Sequence, residues 1–407
     1  MRLSEEIRNR LVAAVAEHAD AMIGFAQRAV QTRSLPGEEE AMARLLRSEM
    51  ERLGYDEVWV DRVGNVIGLL RGSGGGKSVQ FNSHIDHVHE GDPALWPYPP
   101  YAGVIEGGVL YGRAASDVKG ALAAQVYLGP VLRTAGLRPR GDIFITGVVL
   151  EELGGFGTAT LCQELRTDYA VLGEATNLEV RRGHRGRILV EVRFTGRSVH
   201  ASAPERGANP HYALARFLRA LEELPMRSHP DLGRSTVAPT LIATDQTSSN
   251  VTPGVLTLSL DWRNVSCEEP EDVVARVREL AQASLTPGVT SEAQAVGRRV
   301  RSYTGLEAEM PPTRGFVLPG EHPLVRAAAT TLGEVFQRQV PVGLWQFATD
   351  GGHLARAGIA TIGFAPAEER FAHTVNDQVS LHQLRQALLG NAALALALPD
   401  AEEGSPR

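Results

Sequence analysis

The sequence predicts an α/β protein with a second, smaller α+β unit inserted into it, and three observations lead there. At 407 residues the chain exceeds what one hydrophobic core usually organises, so two domains are expected. Helical periodicity alternates with short β-rich runs as far as about Arg185, gives way to period-two alternation, and returns near residue 300. Hydrophobic residues at 43% and charged residues at 22% match an ordinary soluble globule and exclude a disordered or fibrous chain.

Taken in order, MRLSEEIRNRLVAAVAEHADAM mixes both charge signs and repeats its apolar residues at helical spacing, which makes it a first helix and not a signal peptide. VGNVIGLL and SVQFNSHID read as strands, and the Gly-rich RGSGGGK between them as a turn joining neighbouring strands; it lacks the second half of a phosphate loop. VKGALAAQVYLGPVLRTA reads as an amphipathic helix. DIFITGVVL is apolar, β-branched and bounded by Gly and charge, as a central strand buried on both faces would be. Ligands of open α/β sheets gather outside the carboxyl ends of strands, and Glu151 and Glu152 follow this strand at that end.

From Arg185 the order is strand (RILVEVRFTG), helix (PHYALARFLRALEEL), two strands (STVAPTLIATDQ and VLTLSLDWR) and helix (EPEDVVARVRELAQA), which predicts a ferredoxin-like unit. The expected division is residues 1–183 and 300–407 for a discontinuous catalytic domain and 184–299 for the insert. ALLGNAALALALP reads as a closing helix, too short and broken to span a bilayer.

A net charge of -7 and a pI near 6.0 leave no basic footprint for nucleic acid or an anionic membrane, so small-molecule partners are expected. Cys162 and Cys267 are too few for a disulfide framework and form no CxxC pair, which points to a reducing, cytoplasmic setting.

Chemistry gathers at a few places. In SHIDHVHEGD, His84 and Asp86 stand two apart at a strand end and so face the same way; a carboxylate that accepts the second ring N–H fixes a metal-ligating imidazole, although such pairs also occur on solvated loops. His87 and His89 receive no role. Asp117 in GRAASDVKGALAA precedes a helix, where it either caps the helix or holds its carboxylate near backbone donors. Glu151 and Glu152 are tandem acids after a buried strand; ionised together they need cations, and one can ligate while the other accepts a proton from water. Glu174 in VLGEATN and His373 in FAHTVND each follow a short apolar run, and each alone is more often surface than ligand. Together they make a set of mixed N and O donors that suits Zn, Co or Mn, and two such ions would deprotonate a water and polarise a carbonyl.

The ordered motifs SHID, LYGRAASDVKG, EE before GGFG, GEATN, SVHASAPERGANP, NVTP, DWR and HTVND resemble the M20 metallopeptidases across nearly the whole chain. The resemblance implies a zinc-peptidase-like catalytic domain, its mixed sheet flanked by helices, with an inserted ferredoxin-like dimerisation domain. Carried over, it implies that His84 and Glu174 hold one metal, Glu152 and His373 the other, and Asp117 bridges both. Asp86 would orient from behind, Glu151 would be the general base, and the Asp117–Val118 peptide would be cis. His200 would reach the partner subunit's site to stabilise an oxyanion, while Asn250 and Arg263 would grip substrate carboxylate or transition state; the plainer reading of Arg263 is a strand-edge surface charge.

Two positions depart from the family pattern: Ala114 stands where GRG is common, and Asp377 where Glu is commoner. GDPALWPYPPY, RRGHRGR and SAPERG most resemble a branch linked by name to selenium metabolism. The implied activity is that of a homodimeric two-metal amidohydrolase, with zinc first and Co or Mn as alternatives, cleaving a dipeptide or C-terminal residue. One alternative is an N-acyl-amino-acid deacylase of the acetylornithine deacetylase or succinyl-diaminopimelate desuccinylase type. Another is an inactive dimeric ligand-binding homologue, against which the full complement of six donor and base residues argues.

Overall fold

Apolar residues of the chain collect into two large buried cores drawn from different stretches. One takes residues between Leu11 and Val180 and again between Leu324 and Ala401; the other takes only residues between Ile188 and Ala293. The structure is a computed structural model and describes residues 3–401, so Met1 and Arg2 of the expected first helix lie outside the described residues.

In chain order the first stretch forms α1 (Glu5–Gln31), α2 (Glu40–Arg52), β1 (Glu57–Val60), β2 (Val66–Leu70), β3 (Val79–His84), α3 (Gly120–Val126), α4 (Leu128–Thr134), β4 (Ile143–Val148), α5 (Phe156–Glu164), β5 (Tyr169–Leu172) and β6 (Val180–Arg181). The second core is built by β7 (Ile188–Thr195), α6 (Pro210–Glu222), β8 (Thr236–Thr244), β9 (Val255–Arg263), α7 (Pro270–Ala283) and β10 (Thr290–Ala295). The chain then returns through α8 (Pro323–Phe336), β11 (Val342–Gly343), α9 (Gly351–Arg356), β12 (Ala360–Gly363) and α10 (Leu381–Ala397). Helix α1 begins where the Ser4 side chain accepts the Ile7 N–H, with Glu5 and Glu6 against the positive end of the helix dipole.

The large sheet is mixed, in the order β1-β2-β4-β3-β5-β12-β6-β11. Strand β3 runs parallel to β4 and β5, and β5 parallel to β12, whereas β1, β2 and β4 pair antiparallel. Helices cover both faces: Tyr169 and Val171 of β5 enter the first core, while Ala170 and Leu172 pack with Trp345 and Leu354 on the opposite side. Because β4, β3, β5 and β12 are parallel, they all end at one edge. His84 closes β3, Glu151 and Glu152 follow β4, Glu174 follows β5, and His373 follows β12.

Three sequence expectations are corrected. RGSGGGK does not join neighbouring strands, because β4 lies between β2 and β3. It crosses the end of β4 instead, where a Cβ on Gly72 would sit 2.5 Å from Gly141 backbone and one on Gly76 would sit 2.6 Å from it. The expected amphipathic helix after Asp117 breaks at Tyr127 into α3 and α4, and α3 is buried all round, its one polar side chain Gln125 accepting the Ser83 hydroxyl at 2.8 Å. In the insert the strand-helix-strand-strand-helix order holds, but a further strand, β10, completes an antiparallel sheet in the order β8-β9-β7-β10. Its sequence TSEAQA buries only Ala293, which removes the apolar alternation that marks β7 and β9. Among the described residues no helix is long and apolar enough to cross a membrane.

Candidate metal centre

Strand β3, paired on both sides, delivers His84 to the sheet edge in a fixed orientation. Its ring Nδ1–H donates to the main-chain carbonyl of Asp86 at 2.9 Å, which leaves Nε2 facing Asp117 Oδ1 at 3.0 Å and Glu174 Oε1 at 3.8 Å. The expectation that the Asp86 carboxylate takes the ring proton is corrected: it stands 3.6 Å away. The chain turns as it leaves β3 and brings the carbonyl nearer to the ring. The fully buried Asp86 carboxylate accepts instead the N–H groups of Glu151 and Glu152, each at 3.1 Å. Leu150 N–H, one residue earlier, donates to buried Glu39 at 3.2 Å, so three successive N–H groups of the turn bearing the tandem acids end on buried carboxylates.

Asp117 sits in a turn of five residues, Ala115–Lys119, with extended φ/ψ of -134° and 84°, and its peptide bond to Val118 is cis. Its carboxylate does not cap the helix. Oδ1 meets His84 Nε2 and Oδ2 meets His373 Nε2, both at 3.0 Å, and His373 Nε2 also lies 3.1 Å from Glu152 Oε1. The loop is held by Asp377, whose buried carboxylate accepts Ala114 N–H (2.7 Å), Ser116 N–H (2.8 Å), Ser116 Oγ–H (2.6 Å) and Arg113 Nη1–H (3.2 Å). Ala114 adopts a left-handed φ of 70°, which explains why glycine is the easier residue there; its hydrogen bond to Asp377 holds the methyl-bearing backbone in place.

The electrostatics of this cluster call for cations. Burial pushes Glu174 up to about 8 and, with the charge of Glu174 beside it, raises Glu151 well above the usual carboxylate range. Asp117 moves the other way: burial opposes ionisation, but the two imidazoles outweigh it. Hydrogen bonds to Asp117 and Glu152 raise His373 to about 10. Among the described residues, no lysine or arginine forms an ion pair with Asp117, Glu151, Glu152 or Glu174. Donor atoms of His84, Asp117 and Glu152, and of His84, Glu151 and Glu174, lie within 4.8 Å of one another. Borderline nitrogen and hard oxygen donors, converging without a basic side chain between them, fit divalent metal ions.

All six residues expected at the metals therefore come together, His84 from beneath and the others lining a cavity of about 940 Å³. Arg263 lines the same cavity, whereas His200 and Asn250 do not. Those two are exposed side by side in the insert, where His200 bonds Ser202 Oγ at 2.7 Å and the Asn250 carbonyl accepts Ala201 N–H at 2.8 Å.

Sequence reasoning missed Asp350 and Lys119. Asp350 precedes α9 and resembles an N-cap, yet it caps nothing; it lines the cavity and accepts the Thr158 hydroxyl at 2.5 Å. Lys119 is fully buried, donates to the Thr32 carbonyl at 2.6 Å and is lowered by burial to about 7. Nothing in the string DVKG distinguishes it from a solvated helical lysine.

The model of peptidase family M20/M25/M40 matches residues 80–396. The uncharacterized protein YgeY of Escherichia coli (strain K12) is 30% identical over 372 residues, covering 89% of each chain. N-formyl-4-amino-5-aminomethyl-2-methylpyrimidine deformylase of Bacillus subtilis (strain 168) is 26% identical over 402 residues, covering 91% of this chain and 92% of that one. Among solved structures, the Bacillus subtilis YXEP protein, described as a dinuclear metal binding peptidase of family M20, superposes with a TM-score of 0.73 at 14% identity, over 95% of this chain and all of the other.

The role of Asp377 is testable directly. Asp377→Ala strands three buried donors and an arginine, and is expected to cost about 3–5 kcal/mol in a urea titration. A loss under about 1 kcal/mol would show that the loop carrying Asp117 holds itself.

Proposed function

The chain belongs to peptidase family M20/M25/M40, whose members are metal-dependent amide hydrolases, and from that premise we propose a two-metal amidohydrolase that cleaves a dipeptide or a C-terminal residue by attack of water. The observation that carries this reading is the carboxylate of Asp117, with one oxygen 3.0 Å from each of two histidines, His84 at the end of β3 and His373 in the loop before α10. His84 and Glu174 would hold one ion, Glu152 and His373 the other, and Asp117 both. When bound, two such ions supply an acidified water and a polarised carbonyl. Zinc suits the mixed donor set first, with Co or Mn as alternatives.

The chain's own residues do the rest. Glu151 stands at the cavity with its backbone fixed by Asp86, beside the acids, where it would take a proton from water and pass it to the leaving amine. Arg263 offers a planar fork to the substrate carboxylate.

We assign residues 1–183 and 300–407 to catalysis and 184–299 to an inserted dimerisation unit, a division supported by the two separate cores. His200 and Asn250 would enter the site of a second copy, His200 to stabilise the oxyanion. Strand β8 supports that reading: it is the exposed edge of the insert's sheet, with Leu241 and Ile242 70% and 56% accessible. A cytoplasmic location is consistent with two unpaired thiols, Cys162 buried and Cys267 exposed. The deacylase reading stays second, favoured by the similarity to a deformylase; the two activities share metals, base and carboxylate grip and differ in the acyl pocket.

Chelation is expected to abolish amide hydrolysis and Zn, Co or Mn to restore it; unchanged turnover after verified metal removal would contradict the reading. In the metal-free chain the His373 ion pair is complete below an imidazole's ordinary value near 6.5 and is lost as pH rises toward about 10, so refilling near neutral pH should release at least one proton. A calorimetric heat independent of buffer ionisation enthalpy would rule that out.

Glu151→Gln should keep both metals and lose about 10²- to 10⁴-fold in kcat. Near-normal kcat would remove Glu151 from the base role. Light scattering should find a dimer, and an active monomer would refute action of His200 across subunits.

A further inference from the structure

We propose that Arg187 is a second arm of the substrate-carboxylate grip, held beside Arg263 by a shared carboxylate, Asp261. This rests on the reading of Arg263 above and adds a residue that sequence reasoning left without a role. Asp261 Oδ1 accepts Arg263 Nε–H at 2.7 Å and Oδ2 accepts Arg187 Nε–H at 2.9 Å. One negative charge thus lies between two positive ones and leaves a single positive charge uncompensated. Both arginines line the cavity that holds the acids.

The Arg187 side chain is half-exposed where it lines the cavity, and Arg263 is about one-third exposed, so both are open to a ligand. Asp261 occupies the Nε of each guanidinium, so both terminal nitrogens of Arg187 and Nη1 of Arg263 carry no intramolecular bond among the described residues. Arg187 stands on a rigid platform: its N–H donates to the Thr313 carbonyl at 2.8 Å, and Gly186 before it is packed so tightly that a Cβ would lie 2.3 Å from Asn264 Oδ1. Two guanidiniums oriented in advance lose less side-chain freedom on meeting an anion. Leu189, Val296 and Phe347 add apolar surface to the same cavity, which the acids proposed for metal binding also line. Arg298, also at the cavity, is committed elsewhere: its Nη1 donates to the Glu152 main-chain carbonyl at 3.1 Å. The ligand that fits is an amide carrying one free carboxylate and apolar substituents.

The test uses the metal-loaded full-length protein and two pairs of compounds: a dipeptide and an N-acetyl amino acid, each as the free acid and as the neutral C-terminal N-methylamide. Wild type is expected to prefer the acids in kcat/KM. Arg187→Ala should lower the acid-to-amide ratio by about ten- to a hundredfold, the range of a charge-assisted hydrogen bond, with Arg187→Lys restoring part of it. A structural role would depress both members of a pair and leave the ratio alone, so an unchanged ratio in Arg187→Ala overturns the assignment. If wild type hydrolyses acid and amide equally, the grip fails for Arg263 as well while the hydrolase reading stands. If no compound of either pair is cleaved, the amidohydrolase reading falls and takes this one with it.

Discussion

Four carboxylates and two imidazoles are forced to within a few ångströms of one another, and the rest of the architecture depends on that. At 4 Å, two like charges at an effective dielectric near 20 repel by about 4 kcal/mol, so such a cluster exists only where the chain supports it on every side. The support comes from parallel strands. β4, β3, β5 and β12 lie side by side and finish at one edge, which brings the residues after them to one end of the sheet. Asp117, between His84 and His373, is the point at which the two halves of the cluster join.

Around the cluster is a layer of buried polar groups that touch no reacting atom. Asp86 serves two elements, holding the His84 ring through its carbonyl and the tandem acids through its carboxylate. Asp377, four residues after His373, holds the loop that carries Asp117, so a residue next to one half of the cluster positions the other half. The proposed substrate grip comes from elsewhere. Arg187 and Arg263 flank and end strands of the insert and line the same cavity as the acids. The acid cluster and the proposed grip thus belong to separately cored parts of the chain.

The acids after strands were legible because strand ends obey a geometric rule: a buried apolar run that stops at tandem glutamates sets both acids at the sheet edge where ligands gather. The place of Asp117 between the two histidines was not legible from spacing. It came from the resemblance alone, because a lone aspartate before a helix looks like a cap. Asp350 was lost to the same likeness, and Lys119 to its place among helix formers. The Asp86 carbonyl could not be preferred over its carboxylate without knowing how the chain turns after β3. RGSGGGK was misplaced because pairing between β4 and its two neighbours is decided by residues far away in sequence, and the local string records only the need for glycine.

The most direct measurement of the central claim is anomalous diffraction from crystals grown with zinc. Two peaks per chain are expected, about 3.5–4 Å apart, both in contact with Asp117, one also with His84 and Glu174 and the other with Glu152 and His373. A single peak, or a pair that does not share Asp117, would contradict a two-metal centre bridged by that carboxylate.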